Sequence, residues 1–283
     1  MELKIEKDKI YFLSPYGLGD TMILCGFKSA LEKKYDCEIY FCIKDSHKIV
    51  MDMYEIKTYL IIDIKSLDLF LLGDLTPTPR LGNIFVAHPK FHKNYLYLFT
   101  EINSPESNNK ISFINWYKKF LELPENTKFE FPVWYPQLSE KAQTKINKIA
   151  PLDNIVILIP EANSFKTKKK HIWKTIIKDN KKFKTLTVVH DKENKIKGVR
   201  NLDLDLYDTV AIMLVCHNVY SIRNGLCDLV ANKISNMTIL YINSFFKDVY
   251  TLKNVNESII EHVVEDYEIT ENKFKTILLG LFK

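Results

Sequence analysis

Short apolar runs alternate with amphipathic stretches along the whole chain, and that alternation predicts βαβ units on parallel sheets. Residues 9–14 read as a first strand, followed by a turn and a helix over about residues 20–34. In that helix Ile23, Leu24, Phe27, Ala30 and Leu31 recur at helical spacing while Lys28, Glu32 and Lys33 face out. Residues 37–43, 59–64 and 83–87 read as further strands, and 111–121 as another helix. Between residues 123 and 138 the texture changes. Pro124, Pro132 and Pro136 are interleaved with Phe129, Phe131 and Trp134, which predicts a stiff, extended connector. A helix over 139–150 follows, and then the alternation restarts. Strands are expected at 155–159, 186–189, 219–222 and 237–242, and helices at 208–216 and 226–233. A last helix begins near Thr270, with Phe274, Ile277, Leu278 and Leu281 on one stripe.

The economical architecture is α/β, with two Rossmann-like domains facing across a cleft. The expected division is residues 1–137 for a first Rossmann-like domain, 138–262 for a second, and 263–283 for a helix packing back on the first half. A chain of 283 residues has room for two such units.

Composition narrows the function classes. The apolar fraction of 46% fills two cores, which excludes disorder. The net charge of +5 comes from dispersed lysine, with arginine only at positions 80, 200 and 223, so no basic stripe marks a nucleic-acid partner. What the lysine excess does allow is a weak attraction to an anionic membrane surface. The five cysteines form no Cys-x-x-Cys pair and read as reduced thiols; Cys216-His217 and Cys227-Asp228 lack any metal-ligand spacing. Met1–Asp8 carries no signal-peptide core and no window is apolar enough to span a bilayer. A cytoplasmic location is expected, with peripheral contact at the inner face of the membrane.

Three strand-to-helix turns carry the candidate chemistry. The first is Ser14-Pro15-Tyr16-Gly17-Leu18-Gly19-Asp20-Thr21-Met22. Gly17 and Gly19 permit a tight turn and close approach to a ligand, and the helix amides that follow suit an anion. The pattern is neither the dinucleotide fingerprint, which needs a third glycine, nor a P-loop. Asp20 reads either as a reactive carboxylate or as a helix cap. The second turn is Pro160-Glu161-Ala162-Asn163-Ser164, where Asn163 and Ser164 would donate to phosphate and Lys168, with its lysine neighbours, would neutralise it. The alternative for that lysine run is a solvated loop. The third is Arg223-Asn224-Gly225-Leu226-Cys227-Asp228. Arg223 offers a planar fork suited to phosphate, or else pairs with Asp228. His190 ends a strand where it would meet a nucleotide, with a capping or core role as the alternative. Arg80, His88 and His92 would line the same cleft from the first half. Asp203-Leu204-Asp205 resembles a metal-binding pair and reads as coincidental, so no metal and no cofactor is expected. No Gly-x-Ser-x-Gly elbow is present.

Together these turns resemble those of the bacterial heptosyltransferase-type glycosyltransferases and related capsule-synthesis proteins, which have the GT-B architecture. Gly17-Leu18-Gly19-Asp20-Thr21 matches the opening Gly-Asp turn, Pro160-Glu161-Ala162-Asn163-Ser164 resembles the Pro-x-x-Ser turn, and Gly225-Leu226 resembles the late Gly-Leu turn. The late turn departs from the family. Arg223 and Asp228 stand where the family has an aspartate and a histidine, and an arginine before the glycine is closer to fucosyltransferase-like enzymes.

The resemblance implies an inverting, metal-independent glycosyltransferase using a nucleotide-sugar donor and a glycan or lipid-linked acceptor of the lipopolysaccharide or capsule type. Asp20 would be its general base. Gly17, Gly19, Glu161, Asn163, Ser164, Lys168, His190, Arg223, Asn224, Gly225 and Asp228 would meet the donor. Competing readings are a non-catalytic nucleotide-sugar-binding protein and a two-domain nucleotide-sugar epimerase.

Overall fold

A computed structural model describes residues 9–63, 84–87, 112–162, 170–241 and 244–264. Arg80, His88, His92, Asn163, Ser164, Lys168 and the helix expected after Thr270 lie outside the described residues.

The described chain builds two parallel sheets. The first runs in the order β3-β2-β1-β4, from β1 (Ile10–Leu13), β2 (Ile39–Ile43), β3 (Tyr59–Ile61) and β4 (Ile84–Val86). The second runs β10-β9-β8-β5-β6-β7, from β5 (Ile155–Ile159), β6 (Lys184–Thr187), β7 (Arg200–Asn201), β8 (Asn218–Ile222), β9 (Met237–Tyr241) and β10 (Ile260–Val263). Every pairing is parallel. A parallel sheet is covered on both faces, so its central strands need apolar side chains at successive positions. The sequence Ile-Val-Ile-Leu-Ile of β5, buried at all five positions, meets that need.

Nine helices are described: α1 (Leu18–Cys25), α2 (Lys28–Tyr35), α3 (Lys48–Met53), α4 (Phe113–Phe120), α5 (Glu140–Asn147), α6 (Lys170–Asp179), α7 (Leu206–Val215), α8 (Gly225–Val230) and α9 (Ser244–Tyr250). The helix expected over residues 20–34 is divided at Gly26. A side chain there would clash with the Phe129 ring, and a Cβ would lie 2.7 Å from the Glu130 carbonyl. The Gly26 carbonyl accepts from the Glu130 amide at 2.9 Å, so the aromatic connector takes a bond that a continuous helix would have kept.

The order of each sheet reverses at one point, between β1 and β4 in the first and between β5 and β8 in the second. Ligands of open α/β sheets bind outside the carboxyl ends of strands at such points. All three candidate turns follow a strand beside a reversal. A single apolar core joins the halves: Phe12, Leu24 and Phe27 of the first belong to the same buried cluster as Ile157, Val219 and Leu229 of the second.

Candidate functional site

The first turn is held from several sides. Ser14, fully buried at the end of β1, donates its amide to the Cys42 carbonyl at 3.0 Å. Gly17 precedes α1, and Asp20 is the helix's third residue. One Asp20 oxygen, Oδ2, accepts from the Gly17 amide at 3.0 Å, reaching back to satisfy a donor the helix leaves open. The other, Oδ1, accepts from the Tyr117 hydroxyl of α4 at 2.9 Å. Burial raises the Tyr117 pKa well above its ordinary value, and the adjoining Asp20 charge raises it further, so the phenol remains a donor. Asp20 therefore both caps α1 and presents a half-buried carboxylate fixed by two donors.

The third turn has a different character. The Asn224 side chain caps α8, accepting from the amides of Leu226 at 3.0 Å and Cys227 at 3.3 Å. Its Nδ2 donates to the Glu161 carbonyl at 2.8 Å, which joins the turn after β8 to the turn after β5. Arg223 does not hold out a free fork, contrary to the phosphate-binding expectation. Its Nη1 and Nη2 donate to Asp228 Oδ2 and Oδ1 at 2.8 and 2.5 Å, Nη1 also to the Asn224 carbonyl, and Nε to the Tyr250 carbonyl at 3.0 Å. Both residues are 7% exposed. Burial alone would drive Arg223 toward neutrality, but the Asp228 charge and hydrogen bonds, together with Tyr241 and Cys227, outweigh it and keep the guanidinium ionised. Burial raises the Asp228 carboxyl, Arg223 pulls it down, and the nearby Asp20 charge adds to the rise.

Glu161 and His190 meet through backbone more than side chain. The Glu161 carboxylate accepts from the amides of His190 at 3.0 Å and Asp191 at 2.6 Å, and from Asn194 Nδ2 at 3.4 Å. The His190 ring is exposed, with Nδ1 3.5 Å from Glu161 Oε2. The result is a fixed acidic edge where β5 and β6 end. Asp205 caps α7, accepting from the Asp208 amide at 2.8 Å, which accounts for half of the Asp203/Asp205 pair.

The first and third turns come together across the halves. A Cβ on Gly225 would lie 2.9 Å from the Gly19 amide nitrogen and 3.0 Å from Leu18 Cβ, and one on Gly19 would run into the Asp228 carboxylate. The amino ends of α1 and α8 thus meet backbone to backbone, and only glycine fits at either position. A cavity of about 270 Å³ lies beside this seam, walled by Ile23, Phe113, Phe131 and Tyr250, with Arg223 and Asp228 on its edge. That volume falls just under the about 300 Å³ at which ligand pockets begin.

Of the residues expected from sequence, Gly17, Gly19, Asp20, Asn224, Gly225 and Asp228 converge, with Glu161 tied to them through Asn224. His190 stands further out, and the donors of Arg223 are taken up by Asp228 and by the Asn224 and Tyr250 carbonyls. Sequence reasoning missed Tyr117, which reaches Asp20 from 97 positions away, and the groups anchoring Thr21. No local signal marks either.

No protein-family model and no curated protein sequence matches the chain. Among solved structures it is similar to the E. coli ADP-heptose lps heptosyltransferase II, at 14% identity and a TM-score of 0.54 over 96% of this chain and 98% of that one. It is similar to the glycosyl transferase family 9 protein of Veillonella parvula, at 14% identity and a TM-score of 0.56 over 99% and 93%. It is also similar to the E. coli heptosyltransferase WaaC with ADP-2-deoxy-2-fluoro heptose, at 9% identity and a TM-score of 0.52 over 96% and 99%. Among the described residues no helix is long and apolar enough to cross a membrane. Two parallel sheets flanked by helices, each reversing beside a glycine-bearing turn, give this chain the GT-B fold of the heptosyltransferase-like glycosyltransferases.

Proposed function

We propose that this chain is an inverting glycosyltransferase that moves a sugar from a nucleoside-diphosphate donor to a hydroxyl of a cell-surface glycan, of the lipopolysaccharide or capsule type, without a metal. The observation that carries the reading is the Asp20 carboxylate. It stands at the switch point of the first half, is fixed by the Gly17 amide and the Tyr117 hydroxyl, and its charge reaches Asp228 of the third turn.

In this reading an acceptor hydroxyl gives its proton to Asp20 as its oxygen bonds to the anomeric carbon. The bond from that carbon to the diphosphate oxygen breaks on the opposite face, the nucleoside diphosphate leaves with the electron pair, and the configuration inverts. The acidic edge at Glu161 and the His190 loop suit the sugar-bearing end of the nucleoside, where a carboxylate accepts from ribose hydroxyls. Arg223 acts indirectly, by holding Asp228 and the turn before α8 in place. The acceptor residues Arg80, His88 and His92 and the phosphate contacts Asn163, Ser164 and Lys168 belong to the same proposal.

One observation favours a second reading, a non-catalytic nucleotide-sugar-binding protein: Arg223 and Asp228, paired with each other, stand where the family this chain resembles has an aspartate and a histidine. The test has two stages. ADP, UDP, GDP and their sugars, including ADP-heptose, are screened for a rise in melting temperature, since a ligand of the native state stabilises it. Nucleoside diphosphate release is then measured with and without a glycan acceptor. Release that depends on acceptor supports transfer. Binding without release supports the binder, interconversion of the sugar without release supports an epimerase, and no binding at all overturns the proposal.

A further inference from the structure

The turn that carries Asp20 is anchored by a short segment that no catalytic role has yet used. Directly after β2, Lys44 donates from Nζ to the Tyr16 carbonyl at 2.6 Å. Three residues on, His47 is 3% exposed, and its Nδ1 lies 2.7 Å from the Thr21 hydroxyl. That hydroxyl also lies 2.7 Å from the Ser14 hydroxyl and 3.3 Å from the Gly17 carbonyl. Thr21 adjoins Asp20 in the chain, so one hydroxyl ties the base's own helical turn to the ends of both β1 and β2.

Neutral His47 can make this bond in either tautomer: with its proton on Nε2 the ring accepts from Thr21, which then accepts from Ser14, and with its proton on Nδ1 the ring donates while Thr21 donates to the Gly17 carbonyl. Burial and, to a lesser degree, the Lys44 charge lower the His47 pKa to about 4 against the opposing charge of Asp20. The imidazole is therefore neutral at physiological pH and able to act as an acceptor.

We propose that His47 is a positioning residue for sugar transfer, holding the Asp20 carboxylate in register through Thr21 and Ser14. The proposal rests on Asp20 being the base. A base displaced by a fraction of an ångström loses its line to the acceptor hydroxyl, and a misplacement of about 1 Å can cost about a hundredfold in rate.

Three variants test it. Asn places Oδ1 where the histidine has Nδ1, so His47→Asn keeps the acceptor, whereas His47→Phe keeps the bulk and loses it. Thr21→Val removes the other end of the same bond. His47→Phe and Thr21→Val are expected to lower kcat about tenfold to a hundredfold with donor KM nearly unchanged, and His47→Asn to restore most of the loss. Amide hydrogen exchange across residues 14–21 supplies a readout that needs no substrate. It should quicken in the Phe and Val variants and stay slow in the Asn variant. Equal kcat and equal exchange in all three, or equal damage from Asn and Phe, would overturn the proposal. If the wild-type protein turns over no donor, the reading of Asp20 fails, while the exchange pattern alone still decides whether His47 holds the turn.

Discussion

The turn after β1 and the turn after β8 use the same parts to opposite ends. Each joins a parallel strand to a short helix through glycine, and each carries an aspartate in the helix's first turn. Asp20 is half-buried and accepts from an amide and a phenol, which fix its direction. Asp228 is buried and clasped by both nitrogens of a guanidinium fork, so its charge is matched within the protein. A half-buried carboxylate at a strand-order reversal is placed where a substrate can reach it. One locked to arginine holds a structure together.

That contrast can be broken at several points. The largest effect is expected on the Arg223 side. Arg223→Ala leaves Asp228 buried without its partner, which should cost about 3–5 kcal/mol in urea unfolding. The double variant Arg223→Met with Asp228→Leu should recover most of that loss, because an apolar pair of similar volume avoids the uncompensated charge. Recovery would identify the pair as structural. A protein that keeps its stability but loses nucleotide binding in the double variant would return Arg223 to the donor site.

Next comes the seam. Gly19→Ala forces a methyl against the Asp228 carboxylate and should destabilise by about 1–3 kcal/mol. If donor entry requires the halves to part there, the same variant should bind nucleotide at least as tightly as wild type despite its lower melting temperature.

On the Asp20 side the effects are smaller and depend on pH. His47 is neutral when folded and has a pKa near 4, below the about 6.5 of an unfolded histidine. The unfolded chain therefore takes up a proton first as pH falls. The stability this group contributes is complete above about pH 6.5 and is lost progressively toward pH 4. Between pH 7 and pH 5 this amounts to about 2 kcal/mol, and His47→Asn should remove that part of the slope. Smallest is Tyr117→Phe, which deletes one donor to Asp20 while keeping the ring; about 1 kcal/mol is expected from thermal unfolding.

Much of this fold was legible in the chain. The runs at 155–159, 219–222 and 237–242 became β5, β8 and β9 almost residue for residue, because a strand buried on both faces must be continuously apolar. Gly26 shows where the reading ran out. Helical spacing continues across it, and only the arrival of Phe129 and Glu130 from the connector breaks the helix. The short strand β10 escaped because Ile260, Glu261, His262 and Val263 show no strong apolar run; Glu261 is buried by bonds to Tyr241 Oη and the Leu252 amide.

The site divides the same way. Asp20 and the Arg223–Asp228 alternatives were visible because their partners lie within a few residues. Asp20 turned out to be cap and half-buried carboxylate at once, since its two oxygens serve different donors. Tyr117 and His47 were invisible because they reach the turn from distant elements, and nothing in a tyrosine or histidine codon position announces such a contact.

The most direct measurement is acceptor-dependent release of nucleoside diphosphate by Asp20→Asn beside wild type, using whichever donor raises the melting temperature. A fall in kcat of about a hundredfold to ten-thousandfold is expected, with the nucleotide-induced rise in melting temperature preserved, since the amide oxygen still accepts from Gly17, its NH2 can donate to the Tyr117 hydroxyl, and neither group can take the proton. Turnover by Asp20→Asn at the wild-type rate would contradict it.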